Sequence, residues 1–142
     1  MRISEIELQC EDIIWFGVDK YGHIFACASG GCGCVPEFVC KSREETKALD
    51  AFFSEQPKIT EFNTSKNIDV FEDAEIWAEK GIFFFDVDYD DNYGNSYIKL
   101  TWPSHAMLLE ELPEHIRNIL ISHSVDVDVS VVNRLIVSHA YT

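Results

Sequence analysis

The chain has 142 residues, 46% of them hydrophobic and 13% aromatic, and sets 11 Lys+Arg against 25 Asp+Glu for a formal net charge of −14. That length and apolar content support one packed core and a single domain over 1–142, and no stretch approaches the twenty or so apolar residues of a membrane span. The opening MRISEIELQCEDIIWF carries acids and lacks an apolar run before a small-residue cleavage site, so it does not read as a secretory leader and a cytoplasmic location is expected.

From 13 to 29, the apolar stretches IIWFGV and HIFACAS flank Asp19-Lys20-Tyr21-Gly22, where Asp and Gly suit a tight connection; this predicts a β-hairpin. The following SGGCGCVPEFVC, with Gly30, Gly31, Gly33 and Pro36, predicts an irregular loop. Ser42 and Glu45 form a capping-box pair, and Ala48, Leu49, Phe52 and Phe53 recur at helical spacing. A helix over about 42–55 follows, closed before Pro57. A second helix is expected from Ile68 or Asp69, with Glu72 and Asp73 in its first turn. Its apolar positions are Val70, Phe71, Ala74, Trp77 and Ala78, and Gly81 ends it after Lys80.

The runs IFFFDVDY and SYIKLTW, joined by DDNYGN, predict a second hairpin with an acidic tip, its return strand stopped by Pro103. Pro113 opens a short third helix carrying Ile116, Ile119 and Leu120 and ending near His123. In the tail, Val125, Val127, Val129 and Val131 alternate with Asp126, Asp128 and Ser130, the pattern of a half-exposed strand. A last strand over 135–139 is a further candidate. This order of elements predicts an α+β domain with a largely antiparallel sheet, built from hairpins and covered by two or three amphipathic helices.

Five cysteines, Cys10, Cys27, Cys32, Cys34 and Cys40, form an odd set that a reducing cytosol keeps as thiols. Cys27, Cys32, Cys34 and Cys40 offer four zinc ligands, but their spacing differs from the Cys-x2–4-Cys pairs that wrap one corner of a metal. Cys32 lies between two glycines, with five histidines elsewhere in the chain. Nothing adjacent supplies the base or helix N-terminus that would activate it. Asp86-x-Asp88-x-Asp90 begins like a calcium loop, but Asp91 stands at the turn-glycine position and Tyr97 where the bidentate Glu belongs. SGGCGC lacks the Lys-Ser/Thr of a phosphate loop. No catalytic residues, metal ligands or cofactor are therefore assigned.

Charge is the remaining signal. Residues 61–95 hold two basic and ten acidic residues, a balance of −8, against −4 in 1–40, 0 in 41–60 and −2 in 96–142. Such a field repels nucleic acid and anionic membranes and steers a basic protein into encounter. The candidate partner-binding set is Glu72, Glu75 and Glu79 on the second helix with Asp86, Asp88, Asp90, Asp91 and Tyr93 on the hairpin, the tyrosine serving as anchor.

The segments WFGVDKYGHIFACASGGCGCVPEFV, SREETKALDAFF and YIKLTWPSHAMLLEELPEHI together resemble a pattern in small acidic bacterial immunity proteins of polymorphic or contact-dependent toxin systems. The resemblance implies a non-catalytic protein that neutralises a cognate toxin domain, basic and in many systems a nuclease. It transfers no functional residue. The alternatives are a zinc-binding or cysteine-dependent protein centred on Cys27–Cys40 and an acidic regulatory or scaffold module.

Overall fold

The computed structural model describes residues 1–32, 34–65, 69–90 and 95–141. The expectations that touch Gly33, Ile68, Asp91 and Tyr93 lie outside the described residues. Helices α1 (Glu5–Cys10), α2 (Glu37–Cys40), α3 (Arg43–Ser54), α4 (Glu72–Glu79) and α5 (Glu114–Ile121) accompany six strands. The strands are β1 (Ile14–Val18), β2 (Ile24–Ala28), β3 (Phe62–Thr64), β4 (Phe83–Val87), β5 (Ser96–Pro103) and β6 (Arg134–Ile136). They form one sheet in the order β1-β2-β4-β5-β3, with β6 also paired to β5. All pairings are antiparallel except β2 with β4. The chain is α+β.

Strand periodicity divides the core in two. Trp15, Phe25, Cys27, Phe83, Phe85 and Tyr97 point to one face, where Leu8 of α1, Val39 of α2 and Val129 and Leu135 of the C-terminal segment cover them. Phe16, Ile24, Ala26 and Phe84 point to the other, beneath Leu49 and Phe53 of α3, Trp77 of α4 and Ile116 and Leu120 of α5. Burial on both faces explains why IFACA is an unbroken apolar run, with every residue of β2 buried.

Local chemistry fixes the helices. Ser42 caps α3 by accepting from the Glu45 N–H at 3.1 Å, so the capping half expected of Ser42 is present. The buried residues of α3 are Thr46, Leu49 and Phe53, while Ala48 faces solvent, which shifts the apolar stripe from the expected one. Lys80 donates to the Phe53 and Ser54 carbonyls at 3.1 and 2.7 Å, closing the C-terminus of α3 with a cation. Helix α4 starts at Glu72, later than expected, with Phe71 as its N-cap and Val70 before it. Gly81 ends it at φ 93°, and a Cβ there would lie 2.7 Å from the Met107 nitrogen. Pro113 is the N-cap of α5, one position before the first helical residue, and α5 stops at Ile121.

Three further expectations are corrected. The end of the glycine-rich loop closes into α2, where Val39 and Cys40 bury. Residues 125–131 form turns instead of a strand, because the ladder's place is taken by side-chain acceptors. Asp128 accepts from the Ser130 N–H at 3.0 Å and Asp19 accepts from the Val129 N–H at 2.9 Å. The last strand covers Arg134–Ile136 only. Helix α1 and strand β3 were not foreseen. Among the described residues no helix is long and apolar enough to cross a membrane.

Candidate functional site

The described members of the expected acidic set do not all line one groove. Glu72, Glu75 and Glu79 occupy one stripe of α4, and Glu79 is paired with Lys58 at 2.9 Å. Asp88 lies just past β4, where Arg134 donates to it at 2.6 Å and the Asp90 N–H at 3.0 Å. Asp86, two residues before Asp88 at the end of β4, is the described member of the set that lines a groove. The groove, of about 460 Å³, lies between the end of α3, the Asp73/Ile76/Trp77/Lys80 stripe of α4 and strands β1, β2 and β4. Successive side chains on α4 step by about 100°, so the Glu72/Glu75/Glu79 stripe turns away from that groove.

The groove lining mixes apolar side chains, Ile14, Ala28, Trp77 and Phe84, with the carboxylates of Asp12, Asp73 and Asp86. Tyr89 stands at the mouth, its hydroxyl packed over Gly30, which has φ 62° and no side chain to obstruct it. Asp12, in the connection between α1 and β1, accepts from the Gly30 N–H of the loop after β2 at 2.8 Å, which holds its charge near Asp86. Burial pushes the Asp86 carboxyl above its ordinary range; a backbone hydrogen bond with Val87 opposes the rise and the Asp12 charge adds to it. Among the described residues Lys80 is the one basic residue lining the groove, and its ammonium is committed to the two α3 carbonyls. A second depression of about 360 Å³, between α1 and α3, shares Asp12 and Ile14 with the first and adds Glu7, Glu11 and Asp50 together with Arg43 and Lys47. Burial likewise raises the Asp50 carboxyl, against a hydrogen bond from Ser54 and the charge of Lys80.

The signal for this groove was present but incomplete in sequence. Asp73, Ile76, Trp77 and Lys80 share a stripe at helical spacing, whereas Asp12 joins Asp86 only through the parallel β2–β4 pairing. That pairing spans more than fifty residues of chain.

Cys27, Cys32 and Cys40 are not activated as thiolates. Cys27, Cys34 and Cys40 are buried and Cys10 and Cys32 exposed. Burial pushes the Cys27, Cys32 and Cys40 thiols up, Cys40 to about 11, and the Asp86 and Asp12 charges reinforce this at Cys32. A nucleophilic cysteine needs the opposite shift. Among the described residues, the one group of three or more His, Cys, Asp or Glu side chains within reach of a single ion is Asp19, His23 and Asp128, at the β1–β2 turn. Its hydrogen bonds account for its shape. One Asp19 oxygen accepts from the Tyr21 and His23 N–H groups, each at 2.9 Å. The other meets the Val129 N–H at 2.9 Å and His23 Nδ1 at 2.8 Å. A metal ion would have to displace bonds that hold the hairpin to the C-terminal segment.

No family model, curated protein or solved structure matches the chain.

Proposed function

We propose that the protein is a non-catalytic immunity protein that binds and neutralises a cognate basic toxin domain, acting in the cytoplasm by stoichiometric occlusion. The observation that carries this reading is the charge imbalance: a net −14, with −8 of it in residues 61–95. Excess charge of one sign accelerates encounter with an oppositely charged protein, and desolvated pairs then slow its release. The raised thiols of Cys27, Cys32 and Cys40 favour binding over cysteine chemistry.

The test is co-expression. A basic protein recovered at stoichiometric yield on the tagged chain is expressed alone and with it. Growth arrest by the first and rescue by the second support the reading. A captured protein that is harmless when expressed alone, or no partner at low salt, overturns it.

A further inference from the structure

We propose that the groove between α3, α4 and β4 is the docking site for a basic amphipathic segment of a protein partner. A lysine or arginine side chain enters between Asp12, Asp73 and Asp86, and the apolar residues beside it cover Phe71, Ile76 and Tyr89. The inference rests on the reading of the protein as a binder of a basic protein and specifies where that partner makes contact.

Charge complementarity selects the occupant. Among the described residues three carboxylates line the groove against one ammonium, which leaves the lining negative, and that ammonium is turned to the Phe53 and Ser54 carbonyls and does not reach across to the carboxylates. Asp12, Asp73 and Asp86 do not form a set whose oxygens reach one another within 4.8 Å, so they are spaced too widely to share a bare metal ion. That spacing suits a long side chain, whose methylenes lie along Trp77 and Phe84 while its charged end meets the carboxylates. A phosphate-bearing ligand would meet like charge.

The rim supplies the apolar half of the contact. Phe71, Ile76 and Tyr89 are 45%, 38% and 67% exposed and all line this groove, although most large hydrophobics of the chain are buried. Exposed aromatic and aliphatic side chains around charges that a bound partner would desolvate are the usual composition of an energetic hot spot. The adjoining depression, joined at Asp12 and Ile14, carries both signs of charge, with Arg43, Lys47 and Asp50 on α3, so the continuous negative lining is that of the groove itself.

The experiment titrates the intact protein with a short, blocked Lys/Leu amphipathic peptide, followed by calorimetry and by 15N–1H NMR. The Glu/Leu counterpart serves as control. One-to-one saturable binding is expected for the basic peptide alone, with shifts at Ile14, Ala28, Ile76 and the Trp77 indole N–H. The double variant Asp12→Asn/Asp86→Asn weakens binding by at least about tenfold, because desolvated pairs are lost. The charge-matched Glu72→Gln/Glu75→Gln, on the other stripe of α4, weakens it less than about twofold, as exposed charges do. Equal weakening by both variants, shifts confined to other surfaces, or no saturable binding overturns the proposal. Should Asp12→Asn/Asp86→Asn lose the native spectrum, Ile76→Ser decides, with at least about a threefold loss expected from removing an apolar rim contact. Peptide binding in the groove without growth rescue overturns the immunity reading alone. Rescue that survives Asp12→Asn/Asp86→Asn, with peptide binding unchanged, overturns the groove alone.

Discussion

Replacing Asp19 by Asn tests whether the β1–β2 turn is held by hydrogen bonds or by a metal ion. Asp19 is 4% exposed and its two oxygens meet three backbone N–H groups and the His23 ring. An asparagine has one accepting oxygen and one donating NH2. With the oxygen toward Tyr21 and His23, the Val129 N–H faces a donor; flipped, the Tyr21 and His23 N–H groups do. His23 can adapt by changing tautomer, but at least one backbone N–H is stranded in either orientation. A stranded buried donor costs about 1–3 kcal/mol and losing the carboxylate's charge from the remaining bonds adds about 1 kcal/mol, so about 2–4 kcal/mol is expected in total. Against the roughly 5–15 kcal/mol of a typical domain this is large, and in urea it lowers the midpoint by about 1–2 M at unchanged slope. Amide exchange at Val129 should accelerate more than at β2, because the C-terminal segment loses its tie first. A chelator should leave the wild-type midpoint unchanged. A loss below about 1 kcal/mol, or a chelator effect that the variant abolishes, would refute the hydrogen-bond account.

Tyr97→Phe removes a buried hydroxyl that donates to the Cys34 carbonyl and accepts from Trp15 Nε1 at 3.1 Å; urea unfolding should show a loss of about 1–3 kcal/mol. A Trp15→Phe/Tyr97→Phe cycle should be non-additive, since the second change removes the orphaned donor. His123 is buried with Nδ1 2.8 Å from the Phe16 carbonyl, and burial lowers its pKa below 6.5, against that hydrogen bond and the charge of Glu45, while Lys41 lowers it further. The unfolded state then binds the proton more readily. This contribution to stability is present above pH 6.5 and lost as pH falls through the lowered folded pKa, and urea midpoints against pH should flatten in that window for His123→Asn. In the native protein only Cys10 and Cys32 should alkylate near neutral pH, and Cys32 should react more slowly than an unstructured cysteine peptide because burial and nearby acids raise its thiol. Faster labelling of Cys32 than of the peptide would favour the cysteine-dependent alternative.

What the sequence determined by itself was local. Both hairpins, the Ser42 cap, the Gly81 stop and the α+β class follow from alternation, helical spacing and turn residues, all of which act over a few positions. Helix α1 was equally legible, since Ser4 and Glu7 form a reciprocal capping box ahead of Leu8. The tail misleads because its alternation is real, yet the acceptor that replaces its ladder is Asp19, more than a hundred residues away. Tertiary structure alone decided which acids stand together. Charge counts place Glu72, Glu75, Glu79 and Asp86 in one acidic segment, but the stripe of α4 that packs on the sheet sends the three glutamates to one side. The parallel β2–β4 pairing brings Asp86 to Asp12 on the other. Burial of apolar faces sets that geometry, and charge then occupies whatever surface the packing leaves exposed.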